Sequence, residues 1–242
     1  MDWHDKGIIL QTRKLGEHDC IVEALTAEHG RHSGVVKGGC GRRFRGVLQP
    51  GNEVDLNWRG RIETHLGTYQ VEAHHNRSAA IFHEPGKLAA LTSALALVTL
   101  TLPEREPHPN LFKATQSLLS GLEAGEDHTG FWCSLLVHWE LGLLRELGFG
   151  LDLSCCAATG TNEELVYVSP KSGRAVSRMA GRPYHDKLLP LPSFLRQPGP
   201  DLPGEKELRD AMTLTTFFLE RFLLSPQARK LPPARLRVLD YI

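Results

Sequence analysis

Asn52-Glu53-Val54-Asp55-Leu56-Asn57-Trp58 is the stretch on which the fold turns. Val54, Leu56 and Trp58 fall on one face of an extended chain, and Glu53, Asp55 and Asn57 on the other. That period of two is the pattern of a half-buried strand. Outward from it, Ser33-Gly34-Val35-Val36-Lys37, Cys20-Ile21-Val22-Glu23-Ala24-Leu25 and Gly7-Ile8-Ile9-Leu10 come before as short apolar runs. His65 to Ala73 follows, with Leu66, Tyr69 and Val71. Gly, Asn, Pro and charged residues separate the runs. Five short strands between Trp3 and His75 suit a small closed barrel, and the OB-fold is a five-stranded one. The expected first domain is residues 1–78.

After Ser78 the period changes. Leu88, Leu91, Leu95 and Val98 recur at spacings of three and four, as on one face of a helix. Leu111 to Leu122 predicts a second helix. Phe131, Leu135, Trp139, Leu143 and Leu147 predict a third, with Gly148 and Gly150 as stop signals. Leu208, Met212, Thr215, Leu219 and Phe222 predict a late helix ended by Ser225-Pro226. Ser154 to Pro203 is rich in Gly, Pro and Ser, so an irregular region is expected there, with one β-turn-β piece around Val166 to Val176. The fold class is α+β: a barrel, then a mainly helical domain over 79–242 with a loop region at about 151–203.

The 242 residues are 41% apolar and 23% charged, the proportions of a globular chain with a real core. Lys plus Arg and Asp plus Glu both number 28, which excludes a uniformly basic coat but not a local basic patch. No apolar run reaches the roughly 18 residues of a membrane span. The longest, Leu88 to Leu102, is broken by Thr92, Ser93, Thr99 and Thr101. Met1-Asp2-Trp3-His4-Asp5-Lys6 lacks the basic start and apolar core of a signal peptide. The expectation is a cytoplasmic chain with no membrane partner. Five cysteines, an odd number without a framework spacing, read as thiols.

The basic loop is the most informative feature for function. Between Arg31 and Pro50 lie Arg31, Lys37, Arg42, Arg43 and Arg45, without one Asp or Glu. Arg59 and Arg61 follow, and Arg13 and Lys14 are weaker candidates. Lys37-Gly38-Gly39-Cys40-Gly41-Arg42-Arg43-Phe44-Arg45 reads as a strand end opening into a glycine-rich loop. Its glycines let backbone approach phosphate, and its cations neutralise phosphate and release counterions. Phe44 and Trp58 offer faces for base stacking. The competing readings are a solvated basic loop and a Trp58 packed in the barrel core.

Other chemistries find little support. A phosphate-binding P-loop places lysine after its last glycine, with Ser or Thr next; here lysine comes first. His74-His75 at a strand end point to opposite faces. His29 and His32 share a turn, and His108, His128, His138 and His185 are scattered. Glu163-Glu164 and Asp201 to Glu207 sit in loop-like or helix-start positions. Cys133 lies in an apolar helical stripe. No catalytic or metal-binding residue is assigned, and no cofactor is expected.

Several segments, in order and spacing, resemble the RecO family of bacterial recombination and repair proteins. They are Trp3 with Asp5-Lys6-Gly7-Ile8-Ile9-Leu10, Leu15-Gly16-Glu17-His18-Asp19, Thr26-Ala27-Glu28-His29-Gly30-Arg31, Val35-Val36-Lys37-Gly38-Gly39, Leu48-Gln49-Pro50-Gly51-Asn52, Trp58, Leu66-Gly67 and Glu72. Phe131 to Gly150 and Tyr167-Val168-Ser169-Pro170-Lys171-Ser172-Gly173 extend the likeness more loosely. The resemblance implies an OB-fold domain and a helical domain. It also implies binding of single- and double-stranded DNA and annealing of complementary strands. A further implication is action with RecR, and in some settings RecF, to load RecA onto DNA coated by single-stranded-DNA-binding protein (SSB), at the nucleoid during repair.

Many family members carry a four-cysteine zinc module. Here Cys156-Ala157-Ala158-Thr159-Gly160 matches its first half with the second cysteine changed to Thr159, and Ser177-Arg178-Met179-Ala180 has none. Adjacent Cys155 and Cys156 chelate poorly and only His185 is near in sequence, so the loop is expected to keep its shape without zinc. The resemblance also implies a receptor for the acidic, aromatic-ended SSB tail. Phe218, Arg221 and Phe222 on the late helix, with Arg209, Arg229 and Lys230, are its candidates, against the alternative that the phenylalanines pack in the core. The competing functions are an adaptor with little DNA affinity and an RNA-binding barrel; an enzyme using the unpaired cysteines has no partner residues in its favour.

Overall fold

The computed structural model describes residues 1–124, 128–196, 199 and 201–242. The N-terminal strands are β1 (Asp2–Leu15), β2 (Asp19–Thr26), β3 (Arg31–Val36), β4 (Glu53–Arg59) and β5 (Thr68–His75). They close into the barrel the sequence predicts, in the order β1-β2-β3-β5-β4. Antiparallel pairing of β1 with β4 sets Trp3 beside Trp58. The β3–β5 seam is parallel and short, confined to Val35 with Thr68 and Val36 with Tyr69.

β1 is far longer than the apolar run Gly7 to Leu10. A register shift between Ile9 and Gln11 bends it, so residues 2–8 pair with β4 and residues 7–15 with β2. Thr12-Arg13-Lys14 is exposed and carries no apolar alternation, which hides this extension from the sequence.

Ile9, Val22, Val36, Leu56, Trp58 and Tyr69 fill the barrel. Trp58 is 1% exposed and donates from Nε1 to the Leu66 carbonyl at 3.0 Å. It is core, not a stacking platform. Outside the barrel, Ile8, Leu10 and Leu25 are buried as well. Helix α2 (Pro85–Thr101) packs on β1, and α1 (Ser78–Ile81) and α3 (Pro109–Ala124) pack on each other. The chain between α2 and α3 runs along the start of β3. A Cβ at Gly30, whose φ is +66°, would lie 2.0 Å from the Glu106 carbonyl oxygen. Strands give way to helices at residue 78, while the first compact unit runs from Met1 to Ala124.

The second compact unit is Gly125–Ile242. Its core pairs α4 (Thr129–Glu146) with α6 (Glu205–Phe218). A π-helical segment, Leu219–Leu224, continues α6 where the sequence predicts one unbroken helix. β6 (Leu165–Val168), β7 (Ala175–Ser177) and β8 (Leu189–Pro190) form a small sheet in the order β7-β6-β8. β6 and β7 are the expected β-turn-β piece; α5 (Arg178–Gly181) and β8 complete the region. Near the C-terminus α7 (Pro233–Arg237) buries Arg235 against Glu140 of α4. Among the described residues, no helix is long and apolar enough to cross a membrane.

Candidate nucleic-acid interface

The basic loop leaves the barrel at Val36 and is fixed at both ends. Lys37 Nζ lies 2.8 Å from Asp19 Oδ2, and the Gly38 N–H donates to Asp19 Oδ1 at 2.9 Å. The Cys40 N–H donates to the His18 carbonyl at 3.0 Å, which docks the loop on the β1–β2 turn. At the far end the Asn52 amide donates to the carbonyls of Gly46 and Val47 at 2.7 and 3.1 Å. Thr12 Oγ1 donates to the Leu48 carbonyl at 3.0 Å, setting the Arg13–Lys14 end of β1 against the loop.

Between these ties, Arg42–Phe44 forms one 3₁₀ turn. Phe44 is half-buried against the barrel core, and the Arg43 guanidinium lies 5.4 Å from its ring centroid. Phe44 therefore anchors the loop and offers at most one edge. Arg42, Arg43 and Arg45 are exposed, and among the described residues none has a carboxylate within salt-bridge distance. The same holds for Arg59, at the end of β4, and Arg61 beyond it. A held backbone with free cationic side chains suits phosphate contact, because little order is lost on binding.

Arg31 does not belong to this set. Its guanidinium pairs with buried Glu23 and lies 3.7 Å from Glu104, and Nε donates to the Leu102 carbonyl at 3.0 Å. The carboxylate of Glu23 is 5% exposed, and Arg31 supplies the opposite charge beside it. Lys37 is exposed but shared with Asp19. Beside the loop a groove of about 430 Å³ opens over the β3–β5 seam, lined by Lys37, Arg43, Phe44, Gln70 and Glu72 among others.

Asp5, His29 and His32 are tied into the barrel's own structure. Asp5 accepts from the N–H groups of Glu28 and His29 and lies 3.0 Å from His29 Nδ1. Trp3 stacks on that imidazole with ring centroids 4.1 Å apart. His32 Nδ1 lies 2.8 Å from the Tyr69 hydroxyl. Burial pushes His32 down to about 4 and Cys20 up to about 11.

In the second unit the tail-receptor candidates separate. Phe218 is fully buried: it belongs to the core. Arg209 pairs with Glu205 at 3.0 Å, one turn away. Phe222 is half-buried and stacks on Phe149 with centroids 4.8 Å apart, a partner the sequence pattern did not single out. Arg221 lies over the rings of Phe217 and Phe222 and donates to the Pro170 carbonyl at 3.0 Å. Arg229 and Lys230 are exposed after the left-handed Ala228. Elsewhere in this unit a cavity of about 540 Å³ has Leu141, Leu151, Leu153 and Leu195 in its wall, with His138, Arg145 and Arg196 and with Asp152, which is paired with Arg174.

The zinc-module region brings Cys156, Thr159 and Ser177 together. The Ser177 N–H donates to Cys156 Sγ at 3.2 Å, and both hydroxyls bond to the same sulfur. Burial alone would raise that thiol, but these hydrogen bonds outweigh it and bring it down to about 6. One sulfur and two hydroxyls do not make the closed N/S set that a structural zinc requires. Cys155 faces Arg174, whose Nη2 is 3.8 Å from its sulfur, and His185 sits against Asp186. Among the described residues no three metal-ligating side chains converge, so the residues present do not fit zinc.

The sequence model described as Recombination protein O N terminal matches residues 1–77, and the one described as Recombination protein O C terminal matches residues 83–232. The DNA repair protein RecO of Rhodospirillum rubrum is 46% identical over 241 residues, covering 99% of this chain and 96% of its own. That of Rhodospirillum centenum is 46% identical over 242 residues, covering 99% and 94%. That of Caulobacter vibrioides is 45% identical over 240 residues, covering 99% and 97%. With both halves matched and the whole length shared, the chain belongs to the RecO family of DNA repair and recombination proteins.

Proposed function

We propose that this protein binds single- and double-stranded DNA, anneals complementary strands, and with RecR helps load RecA onto SSB-coated DNA, RecF joining in some settings. The observation that carries the DNA-binding part is the set of exposed Arg42, Arg43 and Arg45, none paired with a carboxylate among the described residues, on a loop tied at both ends to a closed barrel. Annealing asks only that phosphates on two strands be neutralised and the paired product released. It needs no nucleophile, and burial pushes the Cys133 thiol up to about 12, which disfavours that cysteine as one. The cations, not the net charge of zero, do the binding.

For the SSB tail, the chemistry required is an apolar seat beside cations. Phe149, Phe222 and Arg221 supply an exposed version on the late helix. The cavity walled by four leucines with Arg145 and Arg196 supplies a concave one, and buried Arg196 Nε has no partner among the described residues. Concavity favours the cavity, because it desolvates a ring while leaving carboxylates at the cationic edge.

Strand annealing with and without SSB tests the whole reading. Arg42→Ala with Arg43→Ala and Arg45→Ala should weaken DNA binding across sequences and lower the log-log salt slope by about 0.7 per lost contact on single strands. An unchanged affinity and slope in the folded variant removes the loop from the site. Arg145→Glu with Arg196→Glu should impair annealing of coated strands and spare naked ones; the same result from Arg221→Glu with Arg229→Glu instead would place the tail on the late helix. Little salt dependence in the parent protein would favour the adaptor.

A further inference from the structure

Half of the barrel's outer surface is already taken by the chain itself. On β1 and β2 the outward residues Ile8, Leu10, Glu23 and Leu25 are at most 4% exposed, alternating with inward Ile9, Val22 and Ala24. Helix α2 lies on β1, and Arg31 at the start of β3 is bound to the Leu102 carbonyl. The β2–β3 face, where OB-fold ligands usually bind, is therefore closed at its Leu25–Arg31 end, and the charges there are paired as Glu23–Arg31–Glu104. The outer face of β4 and β5 is the opposite. Asn57, Arg59, Thr68, Gln70 and Glu72 are exposed, alternating with buried Leu56, Trp58, Tyr69 and Val71.

Two grooves meet on that face. The first is the one beside the basic loop, and Thr68 and Gln70 form its β5 wall. The second, of about 480 Å³, crosses β4 to β1 and has Trp3, His4, Asn57 and Arg59 together with the same Thr68 and Gln70. The shared wall makes them one band. Strand register divides the band into rows. Gln70, Asn57 and His4 stand side by side; Thr68, Arg59 and Asp2 form the row on one side of them, and Glu72, Asp55 and Lys6 the row on the other. The middle row is amides and an imidazole. Arg59 stands in the first row opposite Asp2 with no carboxylate in salt-bridge distance among the described residues, and the third row, with Glu72 and Asp55 against Lys6, is the more acidic edge. Asp55 there lies 3.2 Å from His74 Nδ1.

We propose that a single DNA strand crosses the barrel along this band, over β5 and β4 toward β1, rather than over β2 and β3. Its phosphates meet Lys37 and Arg43 at one end and Arg59 farther along. The amides of Gln70 and Asn57 meet bases or sugars between them. Strands are about 4.8 Å apart, so the band from the loop to β1 spans about 14 Å. The occupant is an unpaired strand because a strand lying flat in a groove presents bases, sugars and phosphates together to a row of amides flanked by cations. This path rests on the DNA-binding reading and adds to it a route and two residues, Gln70 and Asn57.

The test is fluorescence anisotropy of a labelled oligothymidylate with the full chain at low salt. Gln70→Glu with Asn57→Asp should weaken binding about tenfold, and Gln70→Lys with Asn57→Lys should tighten it several-fold. Asn110→Asp with Ser117→Glu adds the same two charges on α3 and should change binding less than twofold. If the folded acidic variant binds like the parent, or an acidic variant fails to fold and the lysine variant does not tighten, the path is overturned. If binding survives that result yet falls in the Arg42, Arg43 and Arg45 variant, DNA binding stands without this route. If neither loop nor band variants move it, both fall.

Discussion

Asp19 grips both the side chain of Lys37 and the backbone of Gly38, at 2.8 and 2.9 Å. Gly38 turns there with φ of +65°, a conformation costly to any residue with a Cβ. The hydrogen bond from Lys37, then that from Gly38, holds the Asp19 carboxyl below its usual range. Lys37 is thus partly satisfied inside the protein, while Arg42, Arg43 and Arg45 have no carboxylate partner among the described residues.

Releasing Lys37 should therefore strengthen DNA binding. Asp19→Ala removes a carboxylate from the loop's base and frees one cation, so affinity for a single strand should rise several-fold at low salt. The log-log salt slope should steepen by at most about 0.7, as the contact that Lys37 now shares with Asp19 becomes a full one. A salt titration by anisotropy reads this directly; weaker binding would mean that loop order outweighs charge.

His32 gives the barrel a pH dependence of known sign. Its folded pKa, about 4, lies below the ordinary 6.5 because burial, then the charges of Arg105 and His29, oppose protonation. The unfolded chain takes up the proton first as pH falls. Stability is therefore full above about 6.5 and declines as pH drops toward 4, with the slope of one proton. Urea unfolding followed between pH 7 and pH 4 should show that slope, flattened in His32→Gln relative to the parent. An equal slope in both assigns it to other groups.

The second unit depends on a buried ion pair. Arg235 and Glu140 are both fully buried, with Arg235 Nη2 3.0 Å from Glu140 Oε2 and donating also to Thr215 Oγ1 at 3.0 Å. Glu140→Ala strands the guanidinium and should cost about 3–5 kcal/mol. Glu140→Leu with Arg235→Met should recover much of that loss, since an apolar pair leaves no charge unpaired. Denaturant midpoints of the three proteins check the order.

Cys156 is held by hydrogen bonds from Ser177 and Thr159. Ser177→Ala, which keeps the backbone donor and removes the hydroxyl, should raise the thiol from about 6 toward 9. Thiolate absorbance during a pH titration of a variant keeping only this cysteine measures the change. Protein purified without chelator should carry far less than one zinc per chain, and a strong chelator should leave its unfolding midpoint unmoved. Stoichiometric zinc bound through Cys156 would overturn this account of the loop.

Alternation at Val54, Leu56 and Trp58 and the runs around it determined the barrel, because the period of two is a local property of an extended chain. The same locality made the basic loop legible: a run of cations between glycines, with no acid among them, stays exposed in any fold that ends a strand at Val36. Availability was another matter. Arg31 and Arg43 look alike in sequence, yet one is spent on Glu23 across the β2–β3 pairing and the other is free. Phe218 and Phe222 share one helical stripe, but only the second reaches the surface beside Phe149. Gln70 and Asn57 lie 13 positions apart and become neighbours only through the β4–β5 register. Which face of the barrel stays open was decided by α2, through apolar residues on β1 and β2 that alternation alone would place in water. Local periodicity records which way a side chain points; what it meets there is set by segments distant along the chain, and only their packing supplies that.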